Sequence, residues 1–309
     1  MSRNLIRYAF PMLFLAELSI FSALSPFFLR PENLLNITLQ TAITGILAVG
    51  MTLVILTGGI DISVGSLVAF LGILLAYALK AWPSGAGLAG AIGMTLLVGA
   101  LVGITYGLLI TRFRIAPFIA TLAGMAIWRG LAYVWSGARP VWGLPAGFSW
   151  LGEGRIGTLP VPSLLMLLFF LCVAVMLART RLGRYIYAVG GNAEAARLSG
   201  IPVARILVSV YALNGILVAI ATCLLVARLN SGQPTAGLMY ELNVIAAVTL
   251  GGTSLQGGRG NIWGSLLGAL FIGVLRNGLN LMSVDSYLQD VVLGLVILMA
   301  VLLDRRPDR

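Results

Sequence analysis

Few side chains in this chain could do chemistry, and the types that are missing narrow its function first. The 309 residues hold no histidine, ten acids and a single lysine, Lys80. Without imidazole there is no His-based triad, no His metal site and no ordinary general base near neutral pH. Lys80 precedes Ala-Trp-Pro with no glycine loop, which excludes a Walker A phosphate cradle. Gly258-Arg259-Gly260 lacks the third glycine of a dinucleotide fingerprint. Cys172 and Cys223 fall in separate apolar runs and read as core residues, not as a redox pair. No catalytic residue, metal-ligand set or cofactor site is expected in the chain, and it does not hydrolyse ATP by itself.

The densest run of functional groups is Gly183–Pro202, GRYIYAVGGNAEAARLSGIP. Within it Asn192 to Gly200 reads as a two-turn helix with its punctuation intact. Asn192 is a plausible N-cap, and Glu194 sits in the first turn, where the helix dipole favours an anion. Arg197 falls in the C-terminal half, Gly200 supplies a left-handed stop and Pro202 prevents continuation. So short a helix does not hold itself together, so other parts of the protein or a partner must hold it. Ala193, Ala195, Ala196 and Ser199 would let another backbone come close. An ordinary surface turn is the plainer alternative.

The elements that carry these groups are membrane spans. Hydrophobic residues make up 59% of the chain and charged ones only 10%, against about 25% in a soluble domain. Apolar runs fall at roughly 8–29, 34–57, 63–79, 86–110, 116–135, 160–178, 205–227, 240–252, 262–280 and 287–303. This predicts an all-α polytopic protein of about ten transmembrane helices, a single transmembrane domain over 1–309, with the first run kept as a span. The eighth run is short and ends on glycine, so it is tilted, buried or re-entrant. With ten crossings both termini share a side. That side then holds Arg3, Arg7, Arg112, Arg114, Arg179, Arg181, Arg184, Arg197, Arg205, Arg259, Arg305, Arg306 and Arg309, thirteen basic residues against five. The positive-inside rule makes it the cytoplasm, puts 183–202 there, and explains the net charge of +10 without nucleic acid. On the outer side, 136–159 carries Trp142, Phe148 and Trp150, read as an interfacial aromatic belt or a docking surface for an external protein.

An ungapped repeat appears at an offset of 199 residues: residues 46–73 match 245–272 at eleven positions, Gly58, Gly59 and Gly65 among them. Repeats are the usual construction of membrane transporters. Ten crossings make the copies run the same way; an inverted pair would need a re-entrant segment. The first copy contains Gly58, Gly59, Asp61 and Ser63, where Asp61 with Ser63 is expected to cap the next helix. The second contains Gly257, Gly258 and Arg259. Both turns are expected near the short helix. Inside the spans, Arg129 lies among Trp128, Tyr133 and Trp135, which suits a cation–π contact or snorkelling. Asn214, Asn243 and Asn277 are candidates for guiding a neutral polyhydroxylated solute, with interhelical hydrogen bonding the alternative. Gly99, Gly103 and Gly107 mark close helix packing.

GGIDISVGS (58–66), GRYIYAVGGNAEAARLSGI (183–201), QPTAG followed by YEL (233–242) and GGTSLQGGRGNIWGSLLGA (251–269) together resemble the permease subunit of monosaccharide ABC importers. The match runs from about 30 to 303, in the branch for ribose, xylose, arabinose, galactose and related sugars, with ribose permeases nearest in wording. The resemblance implies a multi-pass protein of the bacterial inner membrane that imports a pentose such as ribose. It implies a second permease copy or paralogue, a cytoplasmic ABC ATPase that carries ATP and Mg, and a periplasmic sugar-binding protein. It also implies that Asn192, Ala193, Glu194, Ala195, Ala196, Arg197, Leu198, Ser199, Gly200 and Ile201 form the ATPase-coupling segment. Another sugar, a polyol or a furanose-like signalling molecule is the alternative cargo. An ion-coupled secondary transporter is the alternative class, for which Glu17 is the only deep carboxylate.

Overall fold

Long runs of Leu, Ala, Val and Gly at membrane depth leave the backbone no water to bond to, so they close their hydrogen bonds within helices. The computed structural model describes residues 3–304, and its elements follow the apolar runs. They are α1 (Arg3–Leu24), α2 (Pro31–Leu56), α3 (Val64–Ala81), α4 (Gly85–Arg112) and α5 (Pro117–Ser136). Then come β1 (Val141–Trp142), α6 (Trp150–Glu153), β2 (Arg155–Ile156), β3 (Leu159–Pro160) and α7 (Val161–Arg179). The chain continues with α8 (Arg181–Gly191), α9 (Ala193–Leu198), α10 (Val203–Leu229), β4 (Ser231–Gly232), α11 (Tyr240–Leu250), α12 (Ile262–Leu281) and α13 (Ser286–Asp304). Among the described residues seven helices are long and apolar enough to cross a membrane: α2, α3, α4, α5, α7, α10 and α12. Three shorter apolar stretches, Phe10–Leu24, Tyr240–Leu250 and Ser286–Val296, occupy the other expected positions.

Burial sorts the spans. In α2, α3 and α10 about four-fifths of the apolar window is buried, whereas α4, α5 and α7 keep most of theirs outward. Three central helices are thus enclosed by a ring that offers Leu97, Leu101, Phe118, Ile119, Leu167 and Leu171 to the surroundings. Cys172 belongs to that outward face and Cys223 to the core, so only the second is the core residue expected, and the two are unpaired. The glycines of α4 fit it to α10. A Cβ at Gly99 would collide with the Gly215 carbonyl, one at Gly103 with that of Tyr211, and one at Gly107 with the Val208 backbone.

The two repeat copies sit face to face. Gly258 N donates to Leu56 O at 2.9 Å, and the Thr52 hydroxyl donates to Ser265 Oγ at 2.8 Å. Both turns lie at one end of the bundle, so the copies run in the same direction. They are not equal in length. α2 runs to Leu56, whereas α11 stops at Leu250, leaving eleven residues (251–261) where the first copy uses seven (57–63). At the opposite end β1 pairs antiparallel with β4, Val141 against Gly232, tying together the two connections expected outside. There Trp142 and Trp150 are exposed, as an aromatic belt requires, but Phe148 is a core residue.

Candidate functional site

The short helix is present as α9. Asn192 Oδ1 accepts from Ala195 N at 2.9 Å, the cap its side chain predicts. At the other end Gly200 takes φ +80° and its N–H donates to Arg197 O at 3.0 Å, while Ile201 N donates to Ala196 O. Six residues cannot nucleate alone, and their support comes from both sides. Asn192 ends α8 and begins α9 at once, and α10 starts two residues after Ile201.

Ala196 is the one side chain of α9 turned into the protein, 5% exposed. The others stand out, including Leu198 at 77% and the pair of Glu194 and Arg197. Arg197 Nε donates to Glu194 Oε2 at 3.0 Å and its Nη2 reaches the other oxygen, so the two charges form a bidentate fork. Arg197 holds the Glu194 carboxyl below the ordinary carboxylate range and is itself raised. With both side chains more than 60% exposed, the fork shapes the surface more than it stabilises it.

α8 is an element that the apolar runs do not announce. Leu182, Ile186 and Val189 recur at i, i+4 and i+7 and turn inward, with Arg181 and Arg184 outward. That spacing was legible, but the glycines around it read as a loop. Thr180 caps this helix by accepting from Gly183 N at 3.2 Å. Near its far end Gly190 lies against Leu56 O and Gly258 N, where any side chain would strike both repeat turns. Tyr187 Oη donates to Gly260 O at 3.1 Å. α8 therefore docks onto the place where the two copies meet, and α9 projects from it.

The structure splits the residues of the first turn. Gly58, Gly257, Gly258 and Arg259 do lie beside α8, with Gly58 and Arg259 exposed. Gly59, Asp61 and Ser63 turn into the bundle and belong to no surface. Asp61 and Gly50 both meet Asn214, so the chain folds back after Leu56 by about six residues of helix, roughly 9 Å. Asp61 is not the expected helix cap. Its Oδ1 accepts from Ser63 N (2.9 Å) and Ser63 Oγ (2.6 Å), and its Oδ2 accepts from Asn214 Nδ2 (2.7 Å). A carboxylate at such depth survives only because donors surround it.

Arg129 does not make the cation–π contact. Its Nη1 donates to Pro234 O and Ala236 O, both at 2.8 Å, holding the irregular segment before α11. Of the candidate pathway residues, Asn214 bonds to Asp61, and Asn277 exchanges two 2.9 Å bonds with Asn33. Asn243 lines a cavity with Thr41, Thr44 and Arg276. Glu17 is buried on α1 without a bond to either oxygen among the described residues. Arg112, Arg114, Arg179, Arg181, Arg184, Arg197, Arg205 and Arg259 are exposed at the α9 end of the bundle. Arg305, Arg306 and Arg309, expected with them, lie outside the described residues, as do the side chains of Arg3 and Arg7.

Comparison with known proteins agrees with this architecture. Residues 33–301 match the family model described as branched-chain amino acid transport system / permease component. The chain is 51% identical over 291 residues to the ribose import permease of Bacillus subtilis (strain 168), covering 94% of this chain and 89% of that one. It is 48% identical to the ribose import permease of Escherichia coli (strain K12), covering 95% and 92%, and 38% identical to the D-allose transport permease of the same organism, covering 93% and 88%. No solved structure matches.

Proposed function

We propose, from the premise that the chain belongs to the family of branched-chain amino acid transport system / permease components, that it is the membrane permease subunit of an ATP-driven sugar importer. It crosses the bacterial inner membrane about ten times with both termini in the cytoplasm. The cargo is a monosaccharide, with ribose first because relatives with about half their residues identical carry that name. The family description names amino acids instead, so the choice of cargo is itself open to test. A second permease copy or paralogue completes the pathway. A cytoplasmic ATPase, which would bind ATP and Mg, supplies the work, and an external binding protein delivers the sugar.

The observation that carries this reading is α9. Capped at both ends, seated by Ala196 alone and set without slack between α8 and α10, it offers a partner an exposed leucine beside a rigid charge fork. A displacement of α9 cannot be absorbed locally. Through Asn192 it moves α8 and the repeat turns packed on Gly190; through Pro202 it moves α10, one of the three central helices. Partner closure would thus become a rigid-body rocking of the core, the usual form of alternating access.

The test is uptake of labelled D-ribose and L-leucine into cells that lack their own permeases and express this chain with its ATPase and binding protein. Ribose uptake that requires all three components supports the reading. Leucine uptake alone would move the chain to the amino-acid branch. Uptake abolished by a protonophore with ATP intact would favour the ion-coupled class.

A further inference from the structure

At the end of the bundle opposite α9, a groove opens between the first turns of α2 and the β2–β3 hairpin. α2 reaches the α9 end only at Leu56, so Pro31 marks its far end. Pro31, Glu32, Leu34, Leu35 and Thr38 form one wall, and Arg155 with Thr158 forms the other. Residues 31, 34, 35 and 38 recur at the spacing of a single helix face. From Pro31 to Thr38 that face runs about 10 Å along the axis. The groove holds about 570 Å³, within the ~300–1,000 Å³ typical of ligand clefts.

Its chemistry changes with depth. Glu32 stands in the first turn of α2, where the helix dipole favours an anion, and Leu34 and Leu35 follow below it. At the floor the Thr38 hydroxyl donates to Leu35 O at 2.8 Å and lies 2.9 Å from Ser163 Oγ, so it is satisfied within the protein. Ser163 is on α7 just after the hairpin, which sets Arg155 and Thr158 above that floor. Among the described residues the ion pairs are Arg197–Glu194 and Arg276–Asp290, so Glu32 and Arg155 are both exposed and unpaired. Arg30, the other cation at this edge, is stacked over the Phe27 ring at 4.4 Å. Ile156 and Leu159, cross-strand partners in the hairpin, are exposed as well, an apolar pair that lipid would cover.

We propose that the groove seats one zwitterionic phospholipid from the leaflet at this end, with its phosphate on Arg155, a primary ammonium on Glu32 and the start of an acyl chain along Leu34 and Leu35. The proposal rests on the spans crossing a bilayer and not on any cargo. The order of groups along the axis favours a lipid over a segment of an external protein. Opposite charges at the rim, followed by an apolar wall that runs down the length of the bundle, repeat the build of an amphiphile. A polar partner docking from outside would engage the rim and leave the lower wall uncovered. Charge then selects the headgroup. Arg155 alone would take any phosphate. Glu32 accepts hydrogen bonds from a primary ammonium, finds no N–H on a choline, and meets no positive charge on a glycerol headgroup.

The test titrates the full-length chain, purified in detergent and stripped of lipid, with phosphatidylethanolamine, phosphatidylcholine and phosphatidylglycerol of identical acyl chains. Native mass spectrometry reads the Kd of the first lipid bound. Phosphatidylethanolamine should bind about threefold or more tighter than the other two, as one exposed charge-assisted pair allows. Arg155→Gln should weaken all three. Glu32→Gln should remove the preference and leave phosphatidylcholine unchanged, a pattern that a general loss of structure cannot give. Leu34→Trp, which fills the groove, should weaken all three alike. Equal affinity for the three lipids, tighter binding of phosphatidylglycerol, or a preference that survives Glu32→Gln overturns the proposal. So does unchanged lipid binding in both charge variants while capture of the external binding protein falls, which would give the groove to that protein.

Discussion

Ala196 shows why a residue's type and its role must be argued separately. The small side chains of α9 read as a surface prepared for a partner, and Ala193, Ala195 and Ser199 are outward. Ala196 is the exception, because it fills the seat. Ala196→Leu should therefore act by lifting the helix, at a local overpacking cost of about 1–3 kcal/mol. Glu194→Lys should act on the contact itself, through like charge beside Arg197. Both variants should insert normally and lose uptake; insertion is read by quantitative blot and uptake with labelled sugar. Because Arg197 lowers the folded pKa of Glu194, the pair's contribution is present above the ordinary carboxylate value of about 4.3 and is lost as pH falls through the depressed folded value. A carboxyl NMR titration should show a low midpoint that Arg197→Gln returns to the ordinary one. An identical midpoint in both proteins would mean that the fork does not form. Deeper in, Asp61→Leu strands the Ser63 N–H and the Asn214 amide together and should cost about 2–5 kcal/mol, seen as a lower Tm in detergent, with Asp61→Asn less harmful.

At the scale of elements, the α4–α10 contact is backbone against backbone. Gly103→Leu should disrupt the fold, whereas Gly93→Ala, which meets nothing within 4 Å, should be neutral or stabilise by up to about 1 kcal/mol. Comparable melting of the two variants would show that the helices do not approach as described. The tandem spacing of Gly99, Gly103 and Gly107 declared that some helix would come close, but only the fold shows that it is α10. The same asymmetry holds elsewhere. The caps of α9 were legible because Asn192 and Gly200 act within a few residues of themselves. The amphipathic α8 was hidden by Gly183, Gly190 and Gly191, which read as loop residues until the backbones they make room for are known. From sequence Asp61 reads as a local cap because its partner Asn214 stands far along the chain, and Arg129 reads with its aromatic neighbours because the carbonyls of Pro234 and Ala236 are equally remote.

For the whole molecule, composition and the glycine turns pointed to a polytopic transporter built on a repeat. The packing adds how the parts are linked. The two copies meet at Leu56 and Gly258, α8 lies on that junction, and α9 protrudes from α8 beside the exposed arginines. Under the proposed function this chain has no engine and receives force only through α9. The direct measurement is sugar accumulation in proteoliposomes holding the permease with or without its ATPase and MgATP, the binding protein being outside, for the wild type and Glu194→Lys. Accumulation is expected only with ATPase and MgATP, and at least about tenfold less in the variant, the loss that about 1.4 kcal/mol of coupling would produce. Accumulation by the permease alone, or an undiminished rate in Glu194→Lys, would contradict it.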